Sequence, residues 1–255
     1  MSYLRRTTLY LVAAAALAVS GTASAVPIST ALSVVIDGSG SISSTDFNTQ
    51  KTAYASVFGD GSVVPANGSV VANLIQFSTE GAGIVEQSAL RLEDEADRTT
   101  LVNAINGMSQ INGLTDIQEG INLGVTDMDT FLAGVAAAEF ADDFEKIVDV
   151  STDGFHNEGG DPATEAANAV NTLGYSAVNC LAVGAGADCS FILEGPGPAD
   201  DLGTVFEAGS FDDLEPVLEA KVRQELDTDV PTPAPLALLG AGLLALGATL
   251  RRRVN

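Results

Sequence analysis

The stretch Asp37-Gly38-Ser39-Gly40-Ser41 sets one carboxylate and two hydroxyls at alternating positions, with glycine between them. Oxygens at this spacing converge on one point if the backbone curls, and the interleaved glycines would permit the curl. Hard oxygen donors of this kind suit a hard divalent cation, Mg²⁺ first, with Mn²⁺ or Ca²⁺ as alternatives. A serine-rich helix cap is the bland reading of the same five residues. Two more stretches carry donors of the same type: Thr115 in Gly113-Leu114-Thr115-Asp116, and Asp153 in Ser151-Thr152-Asp153-Gly154.

Other chemistries fit less well. His156 is the only histidine and lies close to Asp153, so a hydrolase using serine, His156 and an aspartate is an alternative. No G-x-S-x-G turn surrounds Ser39 or Ser41, however. An aspartyl phosphotransferase at Asp37 would want a second aspartate two positions on, where this chain has Ser39. No G-x-x-x-x-G-K-[ST] loop is present to cradle a nucleotide. The expectation is a protein that is not an enzyme.

These residues need elements to position them. Leu32 to Ile36 is an apolar, β-branched run ending at Asp37, the pattern of a central strand buried on both faces. Phe47 to Phe58 has helical spacing, with Ser44, Thr45 and Asp46 available as caps. Ser69 to Phe77 and Ile84 to Leu90 read as strands, the second an edge strand joined through a turn at Thr79 to Gly83. Helices are expected at Ala96 to Ile105 and Asp116 to Leu132. A strand at Glu145 to Val150, a helix at Pro162 to Leu173 and a strand at Ala177 to Val183 follow. A short strand at Thr204 to Phe206 and a helix from Phe211 to Leu226 complete the pattern. Alternation of this kind predicts an α/β fold: a doubly wound, mostly parallel sheet with one antiparallel edge strand and helices on both faces. Sites in such folds form outside the carboxyl ends of the strands, where Asp37 and Asp153 fall.

Both ends read as processing signals. Arg5 and Arg6, an apolar segment from Leu9 to Val19 and Ala23-Ser24-Ala25 make residues 1–25 a secretory signal peptide. At the other end, residues 230–255 combine Val230-Pro231-Thr232-Pro233-Ala234-Pro235, an apolar run from Leu236 to Leu250 and Arg251 to Arg253. That run is a marginal membrane helix, short of the roughly 20 residues a bilayer core needs. Between the signals, residues 26–229 have the length of one domain. This segment holds all 34 acidic residues but only six of the eleven basic ones, a formal charge of −28. Such a surface repels nucleic acid and anionic membranes and attracts cations. Cys180 and Cys189 are the only cysteines, and in an exported chain a disulfide between them is expected, two free thiols being the alternative.

Taken together, Asp37-x-Ser39-x-Ser41, Thr115 and Asp153 resemble the metal-ion-dependent adhesion site of the von Willebrand factor A (vWA) domain. The phrases LSVVIDGSGSIS, INGLTDIQEGI and KIVDVSTDG look closest to a bacterial exported subgroup of that superfamily, and the likeness runs from Ala31 to about Leu226. The resemblance implies a cation bound by the Ser39 and Ser41 hydroxyls, by Thr115 directly or through water, and by Asp37 and Asp153 directly or through ordered waters. It also implies an open coordination position that takes an acidic group from a protein or polysaccharide partner. A structural acidic protein whose metal only braces loops is the alternative. Asp149, inside the strand before Asp153, departs from the usual apolar run and is expected to meet a hydrogen-bond donor or to support the site. The C-terminal segment resembles the PEP-CTERM sorting signal, with Thr232 where glutamate is usual. That likeness implies a sorting peptidase, transient or stable membrane contact of the apolar helix, and delivery to the cell surface or extracellular matrix.

Overall fold

The computed structural model describes residues 26–193 and 202–226. The segments expected to be a signal peptide, 1–25, and a sorting signal with its apolar run, 230–255, lie outside these residues. Among the described residues, no helix is long and apolar enough to cross a membrane.

Six strands form one sheet: β1 (Ile28–Asp37), β2 (Val70–Phe77), β3 (Ile84–Arg91), β4 (Phe140–Thr152), β5 (Ala177–Val183) and β6 (Val205–Ala208). Their order across the sheet is β3-β2-β1-β4-β5-β6. All neighbours are parallel except β2 and β3, so the expected antiparallel edge is β3. All ten residues of β1 are buried, as its central position between β2 and β4 requires. Among the described residues, four α-helices lie between strands, α1 (Ser44–Gly59), α2 (Glu95–Gly107), α3 (Ile117–Leu132) and α4 (Pro162–Asn171), and a fifth, α5 (Leu214–Leu226), follows the last strand.

The pleat divides the core in two. Leu32, Val34 and Ile36 of β1, with Ile147 of β4 and Leu181 and Val183 of β5, pack against α1, α2 and α5. Val35, Val148, Val150, Val178 and Cys180 face the other way, against α3 and α4. Alternate side chains of each strand thus fill two separate layers, the arrangement that makes a doubly wound sheet stable.

Several boundaries differ from the sequence expectation. β1 starts at Ile28 rather than Leu32, because Ser29 and Thr30, polar by type, are buried in it, and the Ser29 hydroxyl donates to Ser69 O at 3.2 Å. β4 starts at Phe140, not Glu145. Exposed Asp142 and Asp143 obscure its early part, where the Phe140 and Phe144 rings lie 4.5 Å apart and the register with β1 shifts between Ile28 and Thr30. The final helix begins at Leu214, after a 3₁₀ turn at Phe211–Asp213. α1 is capped by Ser43, whose hydroxyl accepts from Asp46 N–H, one residue ahead of the expected caps.

Candidate metal centre

Parallel pairing of β1 with β4 brings Ile36 opposite Ser151, so the two strands end side by side and release their loops together. Asp37 is fully buried there. Its Oδ1 accepts from Ser39 N–H at 2.7 Å, and its Oδ2 accepts from the Thr152 hydroxyl at 2.6 Å. The Ser39 and Ser41 hydroxyls are 3.0 Å apart, and Ser41 donates to Asp153 Oδ1 at 2.6 Å. Two carboxylates and three hydroxyls from two distant parts of the chain therefore form one contiguous set of oxygens.

Thr115 joins through its loop. Gly40 N–H donates to Gly113 O at 2.9 Å, and Asn112 N–H donates to Gly38 O at 2.8 Å. On the other side, Thr115 N–H donates to Asn157 Oδ1 at 2.9 Å while Thr115 O accepts from Asn157 N–H at 3.0 Å. The three loops are thereby sewn to one another by main-chain bonds, and Thr115 is buried among them. Gly113, at φ 108°, supplies a left-handed turn that this path needs.

The glycines of the first loop act differently from the expectation. Neither Gly38 nor Gly40 is among the glycines with positive φ. Gly38 is required for room: a Cβ there would stand 2.1 Å from Gln76 Oε1. That oxygen is held in place by accepting from Ile111 N–H at 3.0 Å, in the segment leading to Thr115.

Several supporting residues were not legible as such. Thr152, next to Asp153 in the chain, carries the hydroxyl that fixes Asp37. Gln50 of α1 donates to Asp37 O at 2.9 Å, and Gln110 donates to both Ser39 O and Ile42 O, at 2.9 and 2.8 Å. A glutamine in a helix or loop carries no sequence signal for such a task, since its partners are main-chain carbonyls far away in the chain.

Electrostatics mark the same place. Burial raises the Asp37 carboxyl to about 6, against the lowering effect of hydrogen bonds from Thr152 and Ser39. Asp153 is also raised, again chiefly by burial. Asp37 has an amide and a hydroxyl as hydrogen-bond partners, and its charged neighbour is another carboxylate. Among the described residues, no cluster of three or more His, Cys, Asp or Glu side chains is arranged to hold a metal. The set at the end of β1 escapes that description because three of its donors are hydroxyls.

The remaining sequence candidates are placed as follows. His156 Nδ1 accepts from Ile117 N–H at 3.2 Å and lies 4.0 Å from Asp116 Oδ1, so the imidazole braces the start of α3. Asp116 itself caps that helix by accepting from Glu119 N–H. Asp149 meets a cation: Lys221 Nζ of α5 is 2.5 Å from its Oδ1, both residues being fully buried. It belongs to the α1/α5 face of β4 and reaches the metal loop only through the strand. Cys180 and Cys189 are joined as a disulfide, which ties the loop after β5 to that strand. Asp188 N–H in that loop donates to Gly154 O, next to Asp153.

No curated protein matches the chain. Among solved structures, proximal thread matrix protein 1 (PTMP1) from the mussel byssus superposes with a TM-score of 0.59 at 21% identity, covering 77% of this chain and 48% of that one. A second PTMP1 structure, described as having a zinc-occupied MIDAS motif, gives 0.58 at 21% identity, with 78% and 48% covered. The pilus adhesin SpaC from Lactobacillus rhamnosus GG gives 0.56 at 16%, with 78% and 31% covered, so the chain spans less than half of either protein. BatB from Bacteroides thetaiotaomicron gives 0.54 at 15% and is covered completely, with 78% of this chain. At these identities the likeness is one of fold. The family model for the von Willebrand factor type A domain matches residues 32–220, from β1 into α5 and through all three loops, and the chain belongs to that family.

Proposed function

We propose that the chain is an exported bacterial interaction protein that holds a divalent cation at the end of β1 and, through it, an acidic group on a protein or polysaccharide partner. The observation that carries this reading is the convergence of Asp37, Ser39, Ser41 and Asp153 into one set of oxygens, with the loop of Thr115 tied to both sides. The donor set fits a hard cation such as Mg²⁺, since every candidate ligand is an oxygen. The buried, unpaired carboxyl of Asp37 fits it too, because a nearby positive charge would relieve the burial that raises it.

Ser39, Ser41 and Thr115 would bind through their hydroxyls, and Asp37 and Asp153 would act directly or through water. When bound, the cation supplies a Lewis-acidic position open to a carboxylate from outside. The protein's part is rigid presentation: Thr152 and Ser39 N–H fix the Asp37 carboxylate, and Gln110 holds the curled loop from beneath. Leu114, just before Thr115, and Phe155, two residues after Asp153, are 49% and 61% exposed and offer apolar contact to whatever brings the carboxylate. PTMP1 with a zinc-occupied MIDAS motif and the SpaC pilus adhesin support the reading by analogy of fold. Export and sorting rest on the terminal sequences, and the disulfide suits an oxidising compartment.

The test is a pull-down from host surface extract with the wild-type protein and Asp37→Ala, each in Mg²⁺ and in EDTA. A partner captured only by wild type in Mg²⁺ is the expected result. Equal capture in all four samples would overturn the mechanism.

A further inference from the structure

On the sheet face covered by α1 and α5, away from the metal loops, the core contains charges. Lys221 Nζ of α5 stands 2.5 Å from Asp149 Oδ1 of β4 and 2.5 Å from Glu225 Oε1, one turn along its own helix. None of the three side chains is more than 1% exposed. Glu225 Oε1 also accepts from Asn179 Nδ2 of β5 at 2.8 Å, and the Phe206 ring of β6 lies 5.6 Å from the ammonium. From α1, the buried Tyr54 hydroxyl faces the group, with Asp149 and Glu225 both acting on it and Ser151 beside it. Asp149 Oδ2, Glu225 Oε2, the Tyr54 hydroxyl and Ser151 Oγ have no hydrogen-bond partner.

The charge count is therefore uneven: two carboxylates and one ammonium, enclosed. An uncompensated buried carboxylate is expensive, and the usual resolution is for one of the pair to keep its proton. Asp149 and Glu225 each contact the lysine at one oxygen and keep a second, unpartnered oxygen able to carry a hydrogen, but Glu225, although it also accepts from Asn179, stands in the last turn of α5, where the helix dipole disfavours a negative charge. We propose that Asp149, Lys221 and Glu225 form a proton-holding clamp, in which Glu225 stays protonated up to neutral pH and losing that proton loosens α5 from the sheet. Burial and the Asp149 charge raise the Glu225 carboxyl from an ordinary 4.5 to about 7, against the lowering effect of Lys221 and Asn179. For a carboxyl raised on folding, the folded form binds the extra proton, so the stabilisation is complete below about 4.5 and is lost as pH rises through about 7. The apolar stripe Leu214, Leu218, Val222 and Leu226 still holds the helix when the proton leaves, so the result is looser docking rather than unfolding.

The experiment follows amide hydrogen exchange of residues 214–226 in the full chain between pH 5 and 8.5, corrected for intrinsic rates, for wild type and Glu225→Gln. It is run both in saturating Mg²⁺ and in EDTA. The opening of α5 in wild type should increase about tenfold or more across this range, and the glutamine variant, which mimics the protonated carboxyl, should lose that slope. In wild type alone, ¹³C NMR of the Glu225 carboxyl should report a midpoint near neutrality. Titration near the ordinary value, or an α5 whose protection in wild type does not change with pH, would overturn the clamp. So would a slope kept in Glu225→Gln, or one present only in EDTA, which would trace it to the loop of Asp37.

Discussion

A carboxylate at position 37 is enclosed on all sides, and its hydrogen-bond partners are an amide and a hydroxyl, both neutral. In the chelated protein that arrangement works against folding at neutral pH, whereas a cation beside it reverses the sign. Asp37→Asn should therefore stabilise the chelated protein by on the order of 1–3 kcal/mol at pH 7.5. Asparagine can still accept from Ser39 N–H, and the Thr152 hydroxyl can turn to Gly154 O, 3.2 Å away. The same variant should lose any rise in Tm on adding Mg²⁺; thermal melts with and without EDTA measure both effects, and a fall in chelated stability would contradict the argument. Phe155 is where a variant would separate the proposed partner binding from metal binding. Its ring is 61% exposed and two residues from Asp153, so Phe155→Ser should weaken partner binding by about 1–2 kcal/mol while leaving Mg²⁺ affinity unchanged. Parallel calorimetry of the metal and of the captured partner checks this.

At the scale of elements, the strands and helices were legible wherever hydrophobic spacing decided them: the β5 bounds coincide with the expectation, and α3 differs by one residue. They were illegible where a polar residue is buried by tertiary context, as at Ser29 and Thr30, or where exposed Asp142 and Asp143 sit inside a strand. Asp37, Ser39 and Ser41 stood out by their alternating oxygens at a strand end, and Thr115 and Asp153 were added to them through the resemblance to the vWA site. Their supports could not, because Gln50 and Gln110 act on carbonyls far away in the chain. Gly38 was the right residue for the wrong reason, and the difference is testable. A methyl group there meets the anchored Gln76 side chain, so Gly38→Ala should cost about 1–3 kcal/mol in urea denaturation, more than a strain-free Gly→Ala change would. The disulfide belongs to this scale also. Closing the short loop between Cys180 and Cys189 should contribute about 2–3 kcal/mol on the chain-entropy model. Because Asp188 N–H holds Gly154 O, reduction should lower Mg²⁺ affinity as well as Tm; affinity unchanged after reduction would show that the Asp153 loop stands without it.

For the whole molecule, the governing quantity is charge. Residues 26–229 carry 34 acidic against six basic side chains, so the acidic partner proposed above would be repelled at long range and held only at contact. Raising salt shortens the reach of that repulsion to a Debye length of about 8 Å at physiological strength. Partner capture should accordingly strengthen from low to moderate salt and vanish on chelation; steady weakening with salt would point to a basic partner bound by the acidic surface. The position of β1 bears on the order of events in time. It pairs on one side with β2 and on the other with β4, and the Thr152 hydroxyl that fixes Asp37 lies 115 residues further along the chain. A binding site divided in this way is among the last things a refolding chain completes, since the closure of so long a loop precedes it. Mg²⁺ would then arrive too late to guide folding: in stopped-flow measurements it should slow unfolding and leave the refolding rate unchanged.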